Sequence, residues 1–229
     1  MPVPFLEDTV LAIDKPYTWT SYNVVKKIQV LLKHHFRGEK VKIGHAGTLD
    51  PLATGVLVVC IGKATKRIEE IQNFEKEYIA RVTFGKTTPS YDLETPFNGD
   101  FPVDHINSQE IKKVLAAMTG VQQQIPPVYS AIRIDGHRAY KTAHQGGTME
   151  MPARTIEIFN IELLDFEQNT ASIQIVCSKG TYIRTIAHDI GKKLNSGAYL
   201  SGLCRNRVGP YHINSAINIG NFENFLHSI

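Results

Sequence analysis

Along the chain, stretches in which apolar residues recur at every second position alternate with stretches in which they recur at spacings of three and four, so strands and helices are expected to interleave. Residues 10–13 form a short apolar run closed by Asp14-Lys15-Pro16, the pattern of a strand ending in a turn. Val24, Val25, Ile28, Leu31 and Leu32 then share one helical face, Lys26, Lys27 and Lys33 lie elsewhere, and Ser21 is the expected cap. Residues 57–61 are branched and continuously apolar, as in a buried strand, and a short helix is expected through Ile68 and Ile71. Tyr78, Ala80, Val82 and Phe84 alternate with Ile79, Arg81 and Thr83, which predicts a strand with two distinct faces. Asn107 and Glu110 make the asparagine form of a capping box, opening a helix that turns Ile111, Val114, Leu115 and Met118 inward and stops at Gly120. Residues 155–164 and 171–178 alternate across a short polar link and are expected to pair. Ile183, Ile186, Ala187, Ile190 and Leu194 make a helical stripe with Thr181 as its expected cap, and a strand-like tail closes the chain.

Composition narrows the class. A chain of 229 residues with 42% hydrophobic content can bury a sizeable core, and one compact body over 1–229 is expected. No apolar run reaches membrane-spanning length and the start lacks a signal-peptide pattern, so a cytoplasmic protein is expected. Cys60, Cys177 and Cys204 are scattered without metal-like spacing, which favours buried thiols over a disulfide framework or a zinc site. His34 and His35 are expected to face solvent. The formal charge of +3 does not itself point to nucleic acid. Between 178 and 212, however, Lys179, Arg184, Lys192, Lys193, Arg205 and Arg207 face only Asp189, a local excess that suits a phosphate backbone or a solvated basic face.

Candidate chemistry centres on Gly-His-Ala-Gly-Thr-Leu-Asp-Pro-Leu-Ala-Thr-Gly-Val-Leu, residues 44–57. It sets one carboxylate, Asp50, in a glycine-punctuated loop stiffened by Pro51. Read as residue types alone, this is either a reactive acid at the lip of a strand or a surface turn, and composition favours the turn. No Gly-Lys-Ser or Gly-Lys-Thr closes it, so it is not a phosphate-cradling loop. Its wording, through His45, Gly47, Leu49, Asp50, Pro51, Ala53, Thr54, Gly55 and Leu57, closely resembles the catalytic motif of the TruB family of tRNA pseudouridine synthases. Four further segments extend the resemblance: Asp14-Lys15-Pro16 with Trp19-Thr20-Ser21, Lys76-Glu77-Tyr78, the stretch from Pro126-Pro127-Val128-Tyr129 to Arg138-Ala139-Tyr140, and Cys177-Ser178-Lys179-Gly180-Thr181-Tyr182-Ile183-Arg184-Thr185. Residues 85–94 match imperfectly, with Pro89 where an aspartate is usual, and leave only a structural role for Asp92. Cys204 departs from the arginine usual after Leu203.

The resemblance implies an α/β protein of the α+β type: a mixed, mainly antiparallel sheet flanked by helices. It implies a mobile RNA-gripping insertion within about 125–152, to which His137, Arg138, Lys141, His144, Gly146 and Gly147 would belong; many bacterial relatives continue into a C-terminal RNA-binding (PUA-type) domain, for which this chain is expected to leave no room. It implies isomerisation of uridine at position 55 in the T-loop of tRNA, with no metal and no cofactor, by a monomer whose partner is the tRNA T-arm. Asp50 would be the essential carboxylate, as nucleophile or as base toward a sugar proton, and Arg184 its charge partner. His45 would fill the space left by the flipped base, Tyr78 would stack on that base and Leu203 would line its pocket. Tyr182 would shape the pocket or take part in the final proton loss. A binding protein that keeps the scaffold without turnover is the rival reading. A glycoside hydrolase would call for a second carboxylate beside Asp50, and no matching motif supplies one.

Overall fold

The structure, a computed structural model, describes residues 4–130, 133–134, 137–138 and 149–228. From the N-terminus come α1 (Pro4–Glu7), β1 (Asp8–Lys15), α2 (Ser21–His35), β2 (Ile43–His45) and β3 (Ala53–Gly62). A 3-10 turn at Lys63–Arg67 runs into α3 (Ile68–Asn73), followed by β4 (Lys76–Phe84), β5 (Lys86–Thr87), β6 (Gly99–Asp100), α4 (Ser108–Ala116) and β7 (Gly120–Gln124). After β8 (Arg133–Ile134) and β9 (His137–Arg138) come β10 (Arg154–Glu167), β11 (Thr170–Cys177), α5 (Ile183–Lys193) and β12 (Ala198–Val208). The described chain closes with β13 (Tyr211–His212), β14 (Ile217–Asn218) and α6 (Phe222–His227). Ten strands follow the order β14-β1-β3-β12-β4-β11-β10-β7, with β13 on β12 and β2 on β3. The pairings β1–β3, β2–β3, β12–β13, β10–β11 and β10–β7 are antiparallel, while β1–β14 and β3–β12 are parallel. This is the mixed, mainly antiparallel α+β fold that the sequence implied.

The chain divides into two compact units, Met1–Tyr78 with Leu203–Ile229, and Ile79–Gly202. In the first, β3 is apolar without interruption from Val56 to Ile61 because both of its faces are covered there. Leu57, Val59 and Ile61 pack with Val24, Ile28 and Leu32 of α2 and with Phe222 and Leu226 of α6. The alternate residues Val56, Val58 and Cys60 pack with Ala46, Ala64, Ile71 and Val208. The cap of α2 is Thr20, one residue before the expected Ser21: its side chain accepts from the Asn23 backbone N–H, and the Asn23 side chain accepts from the Thr20 backbone N–H. Ser21 is thereby freed to point inward. The expected strand-like tail is only partly strand, since it ends in α6, where Phe222, Phe225 and Leu226 recur at helical spacing.

In the second unit β10 and β11 form the expected antiparallel pair, Ile161 opposite Ile175 and Leu163 opposite Ile173. Asn107 caps α4 by accepting from Gln109 N–H and Glu110 N–H, but Glu110 turns away to Lys113 and leaves the box half made. That helix ends at Ala116, before Gly120, whose φ of +104° opens β7 instead. α5 starts after Tyr182 with no side-chain cap, and the Thr181 hydroxyl donates to the Ser178 carbonyl rather than to the helix.

Candidate active site

The motif loop belongs to the first unit. His45 pairs with Val59 across β2 and β3, and Ala46 N–H donates to Val58 O at 2.8 Å, so residues 47–52 are drawn into a closed loop at the end of a strand pair. Asp50 lies in its tip, half-buried, its carbonyl accepting from Ala53 N–H at 3.1 Å to close a tight turn over Pro51 and Leu52. Three side chains from outside the loop fix it. Ser21 Oγ donates to Leu49 O at 3.2 Å and accepts from Leu49 N–H at 2.9 Å, tying the residue before Asp50 to the start of α2. The buried Lys15 amine donates to Pro51 O at 3.3 Å and to the carbonyls of Pro16 and Trp19, tying the residue after it to the end of β1.

The third anchor is Arg205 on β12, only 2% exposed. Its Nε donates to Val56 O at 2.7 Å, Nη2 to Gly47 O at 2.9 Å and Nη1 to Thr48 O at 3.4 Å, so one planar fork spans the entry and exit of the loop. Backbone geometry at Gly55 permits this. Gly55 has φ +99° and stands opposite Arg205 in the β3–β12 pairing, and a Cβ there would lie 2.3 Å from the Arg205 carbonyl oxygen. The same pairing sets Leu203 opposite Ala53, with Thr54 Oγ1 donating to Leu203 O at 3.3 Å, so half-buried Leu203 borders the exit of the loop. Tyr78 is 8% exposed and belongs to the inward row of β4.

Electrostatics distinguish these groups. Burial pushes the Lys15 amine down to about 8 from 10.5; the Asp50 carboxylate opposes the shift, Arg205 adds to it and Asp14 opposes it. Lys15 is therefore mostly cationic at neutral pH. Burial, and then the Arg205 charge, hold His45 below the usual imidazole range against a backbone hydrogen bond at Gly47, so its ring is neutral at physiological pH.

Arg184 and Tyr182 belong to the second unit. Arg184 is 3% exposed in the first turn of α5, its Nε 3.7 Å from Asp92 Oδ2 and its Nη1 donating to Ser90 O at 3.3 Å. Asp92, also buried, accepts from Glu94 N–H at Oδ1, and its carbonyl accepts from the Thr88 and Ser90 hydroxyls. The structural role left open for Asp92 is thus the seating of Arg184. Tyr182 is pinned by Gln124, whose Oε1 accepts from Tyr182 N–H at 2.8 Å and whose Nε2 donates to Tyr182 O at 3.1 Å. The Arg154 guanidinium lies 5.4 Å from the Tyr182 ring centre. Gln124 and Arg154 were not singled out by the sequence; they are direct partners in the β7–β10 register.

The basic excess between 178 and 212 does not form one phosphate-facing surface. Arg184 and Arg205 are buried and bonded internally, while Arg207 meets Glu75 at 2.7 Å and Glu77 at 3.5 Å. Lys179, Lys192 and Lys193 are exposed. Lys63 and Arg67 meet Glu7 and Asp8 at the surface. Cys60 and Cys177 are buried thiols and Cys204 is half-buried. Of the paired histidines, His34 is exposed, whereas His35 is half-buried with its ring against Phe36 and His227. Within the expected RNA-gripping insertion, Lys141, His144, Gly146 and Gly147 and the side chains of His137 and Arg138 lie outside the described residues. Ile134 pairs with His137 through the backbone of β8 and β9.

Comparison with known proteins gives a consistent result. The model of the TruB family pseudouridylate synthase N-terminal domain matches residues 33–183. The tRNA pseudouridine synthase B of Phocaeicola vulgatus is 49% identical over 222 residues, covering 97% of this chain and 94% of its own. That of Flavobacterium johnsoniae is 45% identical over 226 residues, covering 98% and 99%. Among solved structures, a chain of a Cbf5-Nop10-Gar1 complex superposes with a TM-score of 0.73 at 28% identity, covering 97% of this chain and 55% of that one. A chain of an H/ACA RNP bound to a substrate RNA containing 2'-deoxyuridine gives 0.68 at 27%, covering 95% and 53%.

Proposed function

The chain belongs to the TruB family of pseudouridylate synthases, and from that premise we propose that it isomerises uridine to pseudouridine at position 55 in the T-loop of tRNA, with Asp50 as the essential carboxylate. The observation that carries this reading is the loop itself: a single acid stands between Leu49 and Pro51, and both neighbours are held by side chains from other elements. Such pre-organisation suits a group that must meet a reacting sugar in one geometry.

The reaction breaks the N-glycosidic bond, turns the uracil, joins its C5 to the sugar and releases the C5 proton. An ionised carboxylate opposes the electron deficiency at the anomeric carbon, either by attack or by taking a sugar proton. Arg184 is the charge partner that the motif assigns to it, and a planar guanidinium fixes orientation as well as charge. A target base inside a structured loop must be flipped out at a cost of roughly a few kcal/mol. The neutral ring of His45 fills the vacated stack, while Tyr78 and Leu203 present flat and apolar surface to the base so that detached uracil is retained. Tyr182 shapes the same pocket or takes part in the final proton loss. The enzyme works as a cytoplasmic monomer on the tRNA T-arm; no helix among the described residues is long and apolar enough to cross a membrane.

The test is Asp50→Asn. Turnover should vanish while affinity for unmodified tRNA stays within about threefold, because the amide keeps the shape of the loop and loses only the ionised oxygen. Retained turnover would remove Asp50 from the chemistry.

A further inference from the structure

Arg184 is seated by a turn whose conformation needs explaining. Ser90 O and the Asp92 carboxylate, which Arg184 meets, flank Tyr91, and Tyr91 has a φ of +64°. An aromatic residue in the left-handed region is strained, and such strain persists only where surrounding contacts over-determine it. The Tyr91 carbonyl accepts from Leu200 N–H at 2.8 Å, and Asp92 bridges to Leu200, which fixes the backbone on one side. On the other side the Tyr91 ring lies flat on His188, with ring centres 4.0 Å apart and planes 12° from parallel.

His188 is one helical turn beyond Arg184 on α5, so both side chains leave the same face of that helix. The turn and the helix therefore meet at two adjoining points: Arg184 against Ser90 and Asp92, His188 against Tyr91. We propose that the Tyr91–His188 stack is a clamp that positions the Arg184 guanidinium for isomerisation, making both stacked side chains positioning residues of this enzyme. This rests on the role given to Arg184 above. Losing the stack lets Tyr91 leave the left-handed region and carries the Ser90 carbonyl and the Asp92 carboxylate with it.

The imidazole contributes its face and not its nitrogen. His188 Nδ1 is buried with no hydrogen-bond partner among the described residues. Burial, with Lys192 beside it, holds His188 down to about 4, so the ring is neutral near pH 7.

The experiment compares His188→Phe, His188→Ala, Tyr91→Gly and Arg184→Lys in single-turnover and steady-state assays on unmodified tRNA, below the melting transition of every variant. His188→Phe should keep kcat within about twofold. His188→Ala and Tyr91→Gly should each lower kcat at least about tenfold with little change in KM, since a small misplacement of a positioning group can cost up to about a hundredfold. A wild-type kcat in His188→Ala, with Arg184→Lys impaired, would overturn the clamp while leaving Arg184 in place. His188→Phe as damaged as His188→Ala would overturn it in favour of a role for the ring nitrogen. Full turnover in Arg184→Lys would overturn both the clamp and the role of Arg184.

Discussion

Replacing Arg205 by methionine is the most informative structural perturbation of the motif loop. The side chain is buried and carries a charge, and it donates to the carbonyls of Val56, Gly47 and Thr48. Methionine fills a similar volume and leaves those acceptors unpaired. The two short bonds are each worth about 2 kcal/mol as charge-assisted hydrogen bonds, and the 3.4 Å contact adds little. Relief of the buried charge offsets part of that sum, for a net loss of about 3 kcal/mol. In a chain of this size the melting temperature should fall by roughly 10 °C. Because the lost bonds hold the entry and exit of the loop that carries Asp50, turnover below the transition should fall by about a hundredfold. Scanning calorimetry and a single-turnover assay on tRNA measure the two effects. A histidine NMR titration supplies a third readout, since loss of the Arg205 charge should raise the pKa of His45. A melting point within about 2 °C of wild type, with full turnover, would refute the view that this guanidinium holds the loop.

Other perturbations separate the remaining parts. Gly55→Ala puts a methyl group 2.3 Å from the Arg205 carbonyl oxygen at a φ of +99°, so it should cost at least about 2 kcal/mol, and calorimetry showing an unchanged melting point would contradict that packing. Lys15 gives a pH signature: its folded value of about 8 lies below the ordinary 10.5, so the unfolded chain binds more protons between those limits. Stability should therefore rise with pH across that window, by on the order of 3 kcal/mol in wild type relative to Lys15→Met. Denaturant titrations from pH 7.5 to 10.5 with parallel slopes for the two proteins would exclude a buried, depressed amine.

The legible and illegible parts of this chain differ for physical reasons. The alternation in β4 and the apolar run of β3 were readable because burial of one face, or of both, leaves a periodic trace. Asp50 was readable only through the wording of its loop, since glycine, aspartate and proline also make ordinary turns. The burial of Lys15 and Arg205, and their hold on the loop, left no trace. Charged residues are expected outside, and the groups that make their burial tolerable are backbone carbonyls, which every residue carries. Thr20 and Ser21 are both good cap formers in adjacent positions, so composition could not choose between them. The link from Arg184 to Asp92 joins segments far apart in sequence, through a turn where Pro89 breaks the expected pattern.

The central claim is a reaction at one uridine, and the most direct measurement is tritium release from unmodified tRNA transcripts labelled at uridine C5, with the modified position mapped afterwards. The wild-type protein should release tritium to one equivalent per tRNA, from the uridine at position 55 of the T-loop, and Asp50→Asn should release none. Tight tRNA binding with no release by the wild-type protein would contradict the enzyme and leave a binding protein on the same scaffold, and release from a different uridine would contradict the assigned target.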